Sequence, residues 1–104
     1  MLALMNGITK EILIEKDTLF SIGRKHDNEL VLWGANVSRY HARCWYSEEE
    51  KSWVIQDLNS LNGTKVNGVS VMDGTQIKSG DSVEIGCHKM FVTVNSPSLL
   101  TGGA

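Results

Sequence analysis

The chain has one proline, two cysteines and no excess of positive charge. Each shortage excludes something. With prolines so few and hydrophobic residues at 41% of the chain, disorder is expected only at the C-terminus. A net charge of −2 argues against non-specific nucleic-acid binding, so any anion affinity must come from a local patch. No apolar run approaches the ~20 residues that span a bilayer, which excludes a membrane helix. The Met1 to Gly7 stretch lacks the basic and apolar regions of a signal peptide, so a cytosolic or nuclear setting is expected. Cys44 and Cys87 both fall in strand-like apolar runs and are expected to be reduced and buried; whether they pair is a matter of geometry. Neither has metal-ligand spacing with a partner, and no nucleophile elbow or zinc motif is present, so no metal, cofactor or catalytic site is expected.

Helical periodicity is also missing. Short β-branched runs alternate with Gly, Asn, Asp and Ser clusters, which predicts an all-β fold. Strands are expected near Leu2–Met5, Glu11–Glu15, Thr18–Ile22, Leu30–Leu32, His41–Ser47, Ser52–Asp57, Thr64–Val66, Val69–Val71, Gln76–Ile77, Ser82–Ile85 and Met90–Val94. At 104 residues the chain is long enough for one domain with a real core, taken as residues 1–95. Residues 96–104 read as a flexible tail or linker, a sign that the domain continues into a longer chain. Asn6-Gly7 and Asn67-Gly68 supply positive φ cheaply and predict hairpins, and Glu48-Glu49-Glu50-Lys51 reads as a solvated hairpin tip. Alternation places Ala42, Cys44 and Tyr46 on one face, opposite His41, Arg43 and Trp45. Trp53 and Ile55, with Ile22, Leu30, Leu32, Leu58, Val66, Val83, Ile85 and Phe91, complete the expected core.

Three polar clusters sit where strands meet loops: Ile22-Gly23-Arg24, then Val37-Ser38-Arg39-Tyr40-His41-Ala42, then Asp57-Leu58-Asn59-Ser60-Leu61-Asn62-Gly63-Thr64. Together they bring guanidinium forks, a hydroxyl, side-chain amides and glycines that let backbone approach a ligand. Those are the groups a bound phosphate needs. Each also has an ordinary reading. Arg24 could pair with Asp27 or Glu29, Ser38 could close a turn, and Asn62-Gly63 could be a plain turn pair.

In this order the clusters resemble the signature of a forkhead-associated (FHA) domain, a reader of phosphothreonine peptides, over about Leu2 to Val94. The resemblance implies a β-sandwich of two mainly antiparallel sheets with the ligand-binding loops at one end. It implies that Arg24, Ser38 and Arg39 contact phosphate and that Asn62 holds the peptide main chain. Gly23, His41, Ser60 and Gly63 would be pocket scaffold, with His41 hydrogen-bonding between loops. Asn36, in the loop Gly34-Ala35-Asn36-Val37, and Leu61 and Lys65 are candidates for reading the flanking residues. Many relatives carry Thr where this chain has Leu61, so one phosphate contact is missing. The implied partner is a phosphothreonine-containing protein or peptide, with a Ser/Thr kinase behind it and neither nucleic acid nor membrane. The alternative is a structural or oligomerising β-sandwich that binds proteins without phosphate. The joint retention of Arg24, Ser38 and Asn62 argues against it.

Overall fold

Short β-branched runs punctuated by turn residues do fold as strands. The computed structural model describes residues 2–6 and 10–94, with side chains from 14 to 94. Within them lie β1 (Leu2–Asn6), β2 (Lys10–Ile14), β3 (Phe20–Gly23), β4 (Leu30–Val31), β5 (Ala42–Ser47), β6 (Ser52–Asp57), β7 (Thr64–Val66), β8 (Val69–Val71), β9 (Thr75–Ile77), β10 (Ser82–Ile85) and β11 (His88–Val94). Every expected strand is present, with ends displaced by at most two residues. The Asn67-Gly68 hairpin forms between β7 and β8, with φ of 52° and 81° at its two central residues. β1 and β2 pair antiparallel, but the turn expected at Gly7 lies outside the described residues, as does the tail 96–104. No helix among the described residues is long and apolar enough to cross a membrane.

The strands form two sheets, ordered β2-β1-β11-β10-β7-β8 and β4-β3-β5-β6-β9. All pairings are antiparallel except β3 with β4, where Ile22 faces Leu30. The sheets pack as a β-sandwich whose core joins Ile22, Leu30, Ala42, Cys44, Trp53 and Ile55 of one sheet to Val66, Val83, Ile85, Met90 and Val92 of the other. The strands also aim the loops. β3 ends at Gly23, β5 begins at Ala42, β6 ends at Asp57 and β7 begins at Thr64, so the three polar clusters emerge at one end.

Several expectations change. Phe91 is 48% exposed while Met90 and Val92 are buried. The strand has two possible phases, and the one that buries Met90 and Val92 turns Phe91 outward. Leu58 and Tyr46 are only half-buried. Cys44 is buried, and burial pushes its thiol up to about 12, but Cys87 is exposed on the turn before β11. Both thiols are free. Val37 does not face outward to read a ligand; it is 1% exposed and anchors its loop in the core. His41 sits just before β5 rather than in it and is fully buried beneath the loops instead of sharing the outer face of Arg43 and Trp45.

The phase of β11 can be checked by mutation. Met90→Ala is expected to cost about 2–5 kcal/mol in urea unfolding, as buried large-to-small changes do. Phe91→Ala is expected to cost less than about 1 kcal/mol. The reverse order would show that the strand presents its other face to the core.

Candidate functional site

The chain leaving β3 is tied to the chain entering β5. The amides of Arg24 and Lys25 donate to the carbonyls of Ser38 and Arg39 at 3.0 and 3.2 Å. The close approach requires Gly23, because a Cβ there would overlap the Arg39 carbonyl oxygen. Asn28 secures the same place: it is buried, and its side-chain amide donates to the carbonyls of Lys25 and Arg39 at 2.7 and 2.9 Å.

Arg24 is held without being used up. Its Nε donates to the Val37 carbonyl at 3.0 Å, which fixes the guanidinium against the loop and leaves the terminal nitrogens without a protein partner among the described residues. The ion pair with Asp27 or Glu29 does not form. Asp27 accepts the Tyr40 hydroxyl at 2.8 Å, and Glu29 accepts the amide and hydroxyl of Ser21 at 2.9 Å. Arg39 is exposed, with only its carbonyl engaged. The Ser38 hydroxyl accepts the Leu61 amide at 3.0 Å, which leaves its own hydrogen free to donate.

His41 joins two of these loops. Its Nδ1 accepts the Ser38 amide at 3.0 Å. That nitrogen therefore carries no proton, so Nε2 carries it and donates to the Gly63 carbonyl at 2.8 Å. Asp57 braces the β6–β7 loop. It accepts the Ser60 hydroxyl, the Ser60 amide at 2.9 Å and the Thr64 hydroxyl at 2.7 Å, while the Ser60 hydroxyl accepts the Gly63 amide at 2.9 Å. The turn into β7 has φ of 84° at Gly63, a left-handed conformation that favours glycine. Burial alone would push Asp57 up. The hydrogen bonds from Ser60 and Thr64, helped by the nearby His41, outweigh it and hold the carboxyl below its usual range.

Serine, histidine and aspartate thus lie close together without forming a nucleophile–base relay. Both imidazole nitrogens are committed to backbone groups, and His41 Nε2 stands 3.9 Å from Asp57, beyond hydrogen-bond reach. No cluster of metal-ligating side chains occurs among the described residues.

Beside this network lies a polar recess of about 200 Å³ lined by Asn36, Asn62, Gly63, Lys65, Glu84 and Gly86. The Asn62 side-chain amide reaches the Asn36 carbonyl at 3.3 Å. Leu61 projects into solvent at 89% exposure. The structure therefore brings Gly23, Arg24, Ser38, His41, Ser60, Leu61, Asn62 and Gly63 into one hydrogen-bonded end, with Arg39 on its rim and Asn36 and Lys65 in the recess. Sequence reasoning missed the tie made by Asn28, the bond from Thr64 to Asp57 and the place of Glu84 in the recess. Asn28 sits in a charged loop that reads as solvated. Thr64 closes the third cluster but its bond to Asp57 is not visible in the sequence, and Glu84 reads as an ordinary strand residue that only register brings opposite Lys65. A larger recess of about 380 Å³, lined by residues such as Lys16, Leu19, Arg43 and Trp45, contains none of the expected residues.

Comparison with known proteins points the same way. The family model described as FHA domain matches residues 20–86. The transcriptional regulatory protein EmbR of Mycobacterium tuberculosis is 36% identical over 75 residues, which cover 72% of this chain and 19% of that protein. The chain thus spans about a fifth of the length of the first curated relatives it matches. The structure of Mycobacterium tuberculosis EmbR in complex with a low-affinity phosphopeptide superposes with a TM-score of 0.79 at 30% identity, over 91% of this chain and 24% of that one. A chain solved in a structural and functional analysis of phosphothreonine-dependent FHA domain interactions gives 0.81 at 27% identity, over 91% and 97%.

Two measurements probe the brace and the bridge. Because the folded pKa of Asp57 is depressed, its stabilisation is complete above the ordinary carboxylate pKa of about 3.9 and fades as pH falls through the lower folded value. The stability gap between wild type and Asp57→Asn should therefore be widest near neutrality and shrink in acid; a constant gap would mean the carboxylate charge contributes nothing. His41→Ala should lose about 1–3 kcal/mol in thermal unfolding, with the Ser38 amide and Gly63 carbonyl left unpaired.

Proposed function

This chain belongs to the FHA domain family, and from that premise we propose that it is a phosphothreonine-dependent peptide-binding module with no catalysis of its own. One observation carries the reading. Arg24 is fixed by its Nε to a loop carbonyl while its terminal nitrogens remain free, beside a Ser38 hydroxyl whose acceptor side is occupied and whose hydrogen is free. Both are donors without acceptors, which is what a phosphate completes.

In this reading Arg24, Ser38 and Arg39 hold the phosphate, and Asn62 holds the peptide main chain. Gly23, His41, Ser60 and Gly63 keep the loops in place. Asn36, Leu61 and Lys65 face the flanking residues. The phosphate is written by a Ser/Thr kinase, acting in cis or in trans, which places the module inside the cell. The chain's relatives support a binding role, since the EmbR structure is described with a phosphopeptide. A phosphate-independent sandwich would give the terminal nitrogens of Arg24 and the hydroxyl hydrogen of Ser38 no reason to be left without acceptors.

Calorimetry with matched phosphorylated and unphosphorylated peptides tests the proposal. The phosphothreonine peptide should bind near micromolar, about −8 kcal/mol, and the unphosphorylated one should not bind. Arg24→Ala should weaken binding by about 1.5–3 kcal/mol or more, the value of a hydrogen bond to a charged group. Wild-type affinity in that variant would refute the pocket assignment. Leu61→Thr should leave the melting temperature nearly unchanged, because the side chain is almost fully exposed. It should also hold or tighten binding, since a hydroxyl there can add a bond to phosphate. Affinity about tenfold weaker in a folded variant would show instead that Leu61 touches the ligand.

A further inference from the structure

The recess beside the proposed phosphate site contains an unused pair of opposite charges. Lys65 on β7 and Glu84 on β10 are direct cross-strand partners, and both line the recess. Neither side chain makes a hydrogen bond or an ion pair within 4 Å among the described residues. Glu84 is half-buried, so its carboxylate has lost part of its water without gaining a protein donor. Asn36 and Asn62 close the recess from the loop side with amide groups.

We infer that this recess selects the peptide by a neutral side chain that both donates and accepts, a carboxamide such as glutamine or asparagine, a few residues from the phosphothreonine. The inference rests on the phosphopeptide reading above. Its logic is electrostatic. An acidic residue reaching Lys65 would bring its charge against Glu84. A basic residue reaching Glu84 would meet Lys65. Like charges at such distances cost what the opposite pair gains. A carboxamide gives its carbonyl to the Lys65 ammonium and its N–H to the Glu84 carboxylate, so both are satisfied at once. An apolar residue would cover both without pairing either. The position is suitable, because Asn62 and Gly63 directly follow Leu61, whose amide rests on Ser38. An extended peptide advances about 3.3 Å per residue, so a residue near the phosphothreonine faces the recess. Glu84 is the residue whose part in specificity the sequence alone does not suggest.

Fluorescence anisotropy against an alanine-based phosphothreonine peptide set tests this, with Gln, Asp, Lys or Leu placed in turn at each of several positions on both sides. One position should favour Gln in the wild type by about fivefold over Asp, Lys and Leu, the scale of an exposed charge interaction. Charge reversal should then move that preference in opposite directions. Glu84→Lys makes the recess doubly cationic and should select Asp at the same position. Lys65→Glu makes it doubly anionic and should select Lys. Circular dichroism confirms that each variant is folded, which is the expected result because Lys65 is exposed and the half-buried Glu84 lies outside the apolar core. If the wild type binds phosphothreonine peptides but no position responds to either reversal, the recess does not read the peptide and the inference fails alone. A wild-type preference for Asp or Lys at the responsive position overturns it equally. If no phosphothreonine peptide binds at all, the functional reading fails and takes the inference with it.

Discussion

A single buried imidazole holds the loop end of this molecule together. His41 accepts from the Ser38 amide and donates to the Gly63 carbonyl, and so fastens the loop before β5 to the loop before β7. Its own backbone extends the same fastening, with its amide on the Ile22 carbonyl and its carbonyl accepting the Leu58 amide. Four strand ends therefore meet at one residue. A buried polar side chain is costly unless its groups are paired, and here both ring nitrogens are. The pairing also fixes the tautomer and commits both ring nitrogens to backbone groups, although serines and an aspartate lie nearby.

Much of what surrounds the site follows from that strut. With Ser38 and Gly63 fixed, the Leu61 amide can rest on the Ser38 hydroxyl and the Asn62 side chain can reach the Asn36 carbonyl. The Asp57–Ser60–Thr64 cluster stiffens the same loop from below. A ligand meeting such a surface orders little of it on binding, which preserves affinity that mobile loops would lose. The core contributes as well. Val37 is buried within the β4–β5 loop, so the segment carrying Asn36 and Ser38 is anchored at its centre. Braced loops and unpaired donors together suit the anion site proposed above, in a chain whose net charge is negative.

The strands were legible because β-branched runs, Asn-Gly turns and alternation all pointed to the same structure. The meeting of the clusters at one end was legible, because glycine, arginine, serine and amide residues recur where strands pass into loops, and the structure ties those loops together. Alternation does not set the phase where both faces carry apolar residues, as at Met90 and Phe91, and a large side chain such as Phe91 is not thereby buried. Alternation also fails at His41, which sequence spacing drew into β5 although it lies one residue before it. Cys87 lies outside the strands because β10 ends at Ile85 and the chain turns at Gly86, where φ is 62°, before β11 begins at His88. Asn28 and Glu84 were invisible for a different reason. Asn28 depends on a long-range partner, the Arg39 carbonyl, and the placing of Glu84 opposite Lys65 depends on strand register, neither of which a local pattern encodes.

Backbone amide NMR during a peptide titration tests the central claim most directly, that a pre-built loop end grips phosphothreonine. A phosphothreonine peptide should move the amide signals of Arg24, Ser38, Arg39, Leu61 and Asn62. The His41 ring signals should keep the pattern of a proton on Nε2 throughout, because the strut is complete before the ligand arrives. The unphosphorylated peptide should move none of them. Equal shifts with both peptides, or shifts gathered on the sheet edge at β8 while the loop end stays silent, would contradict the account.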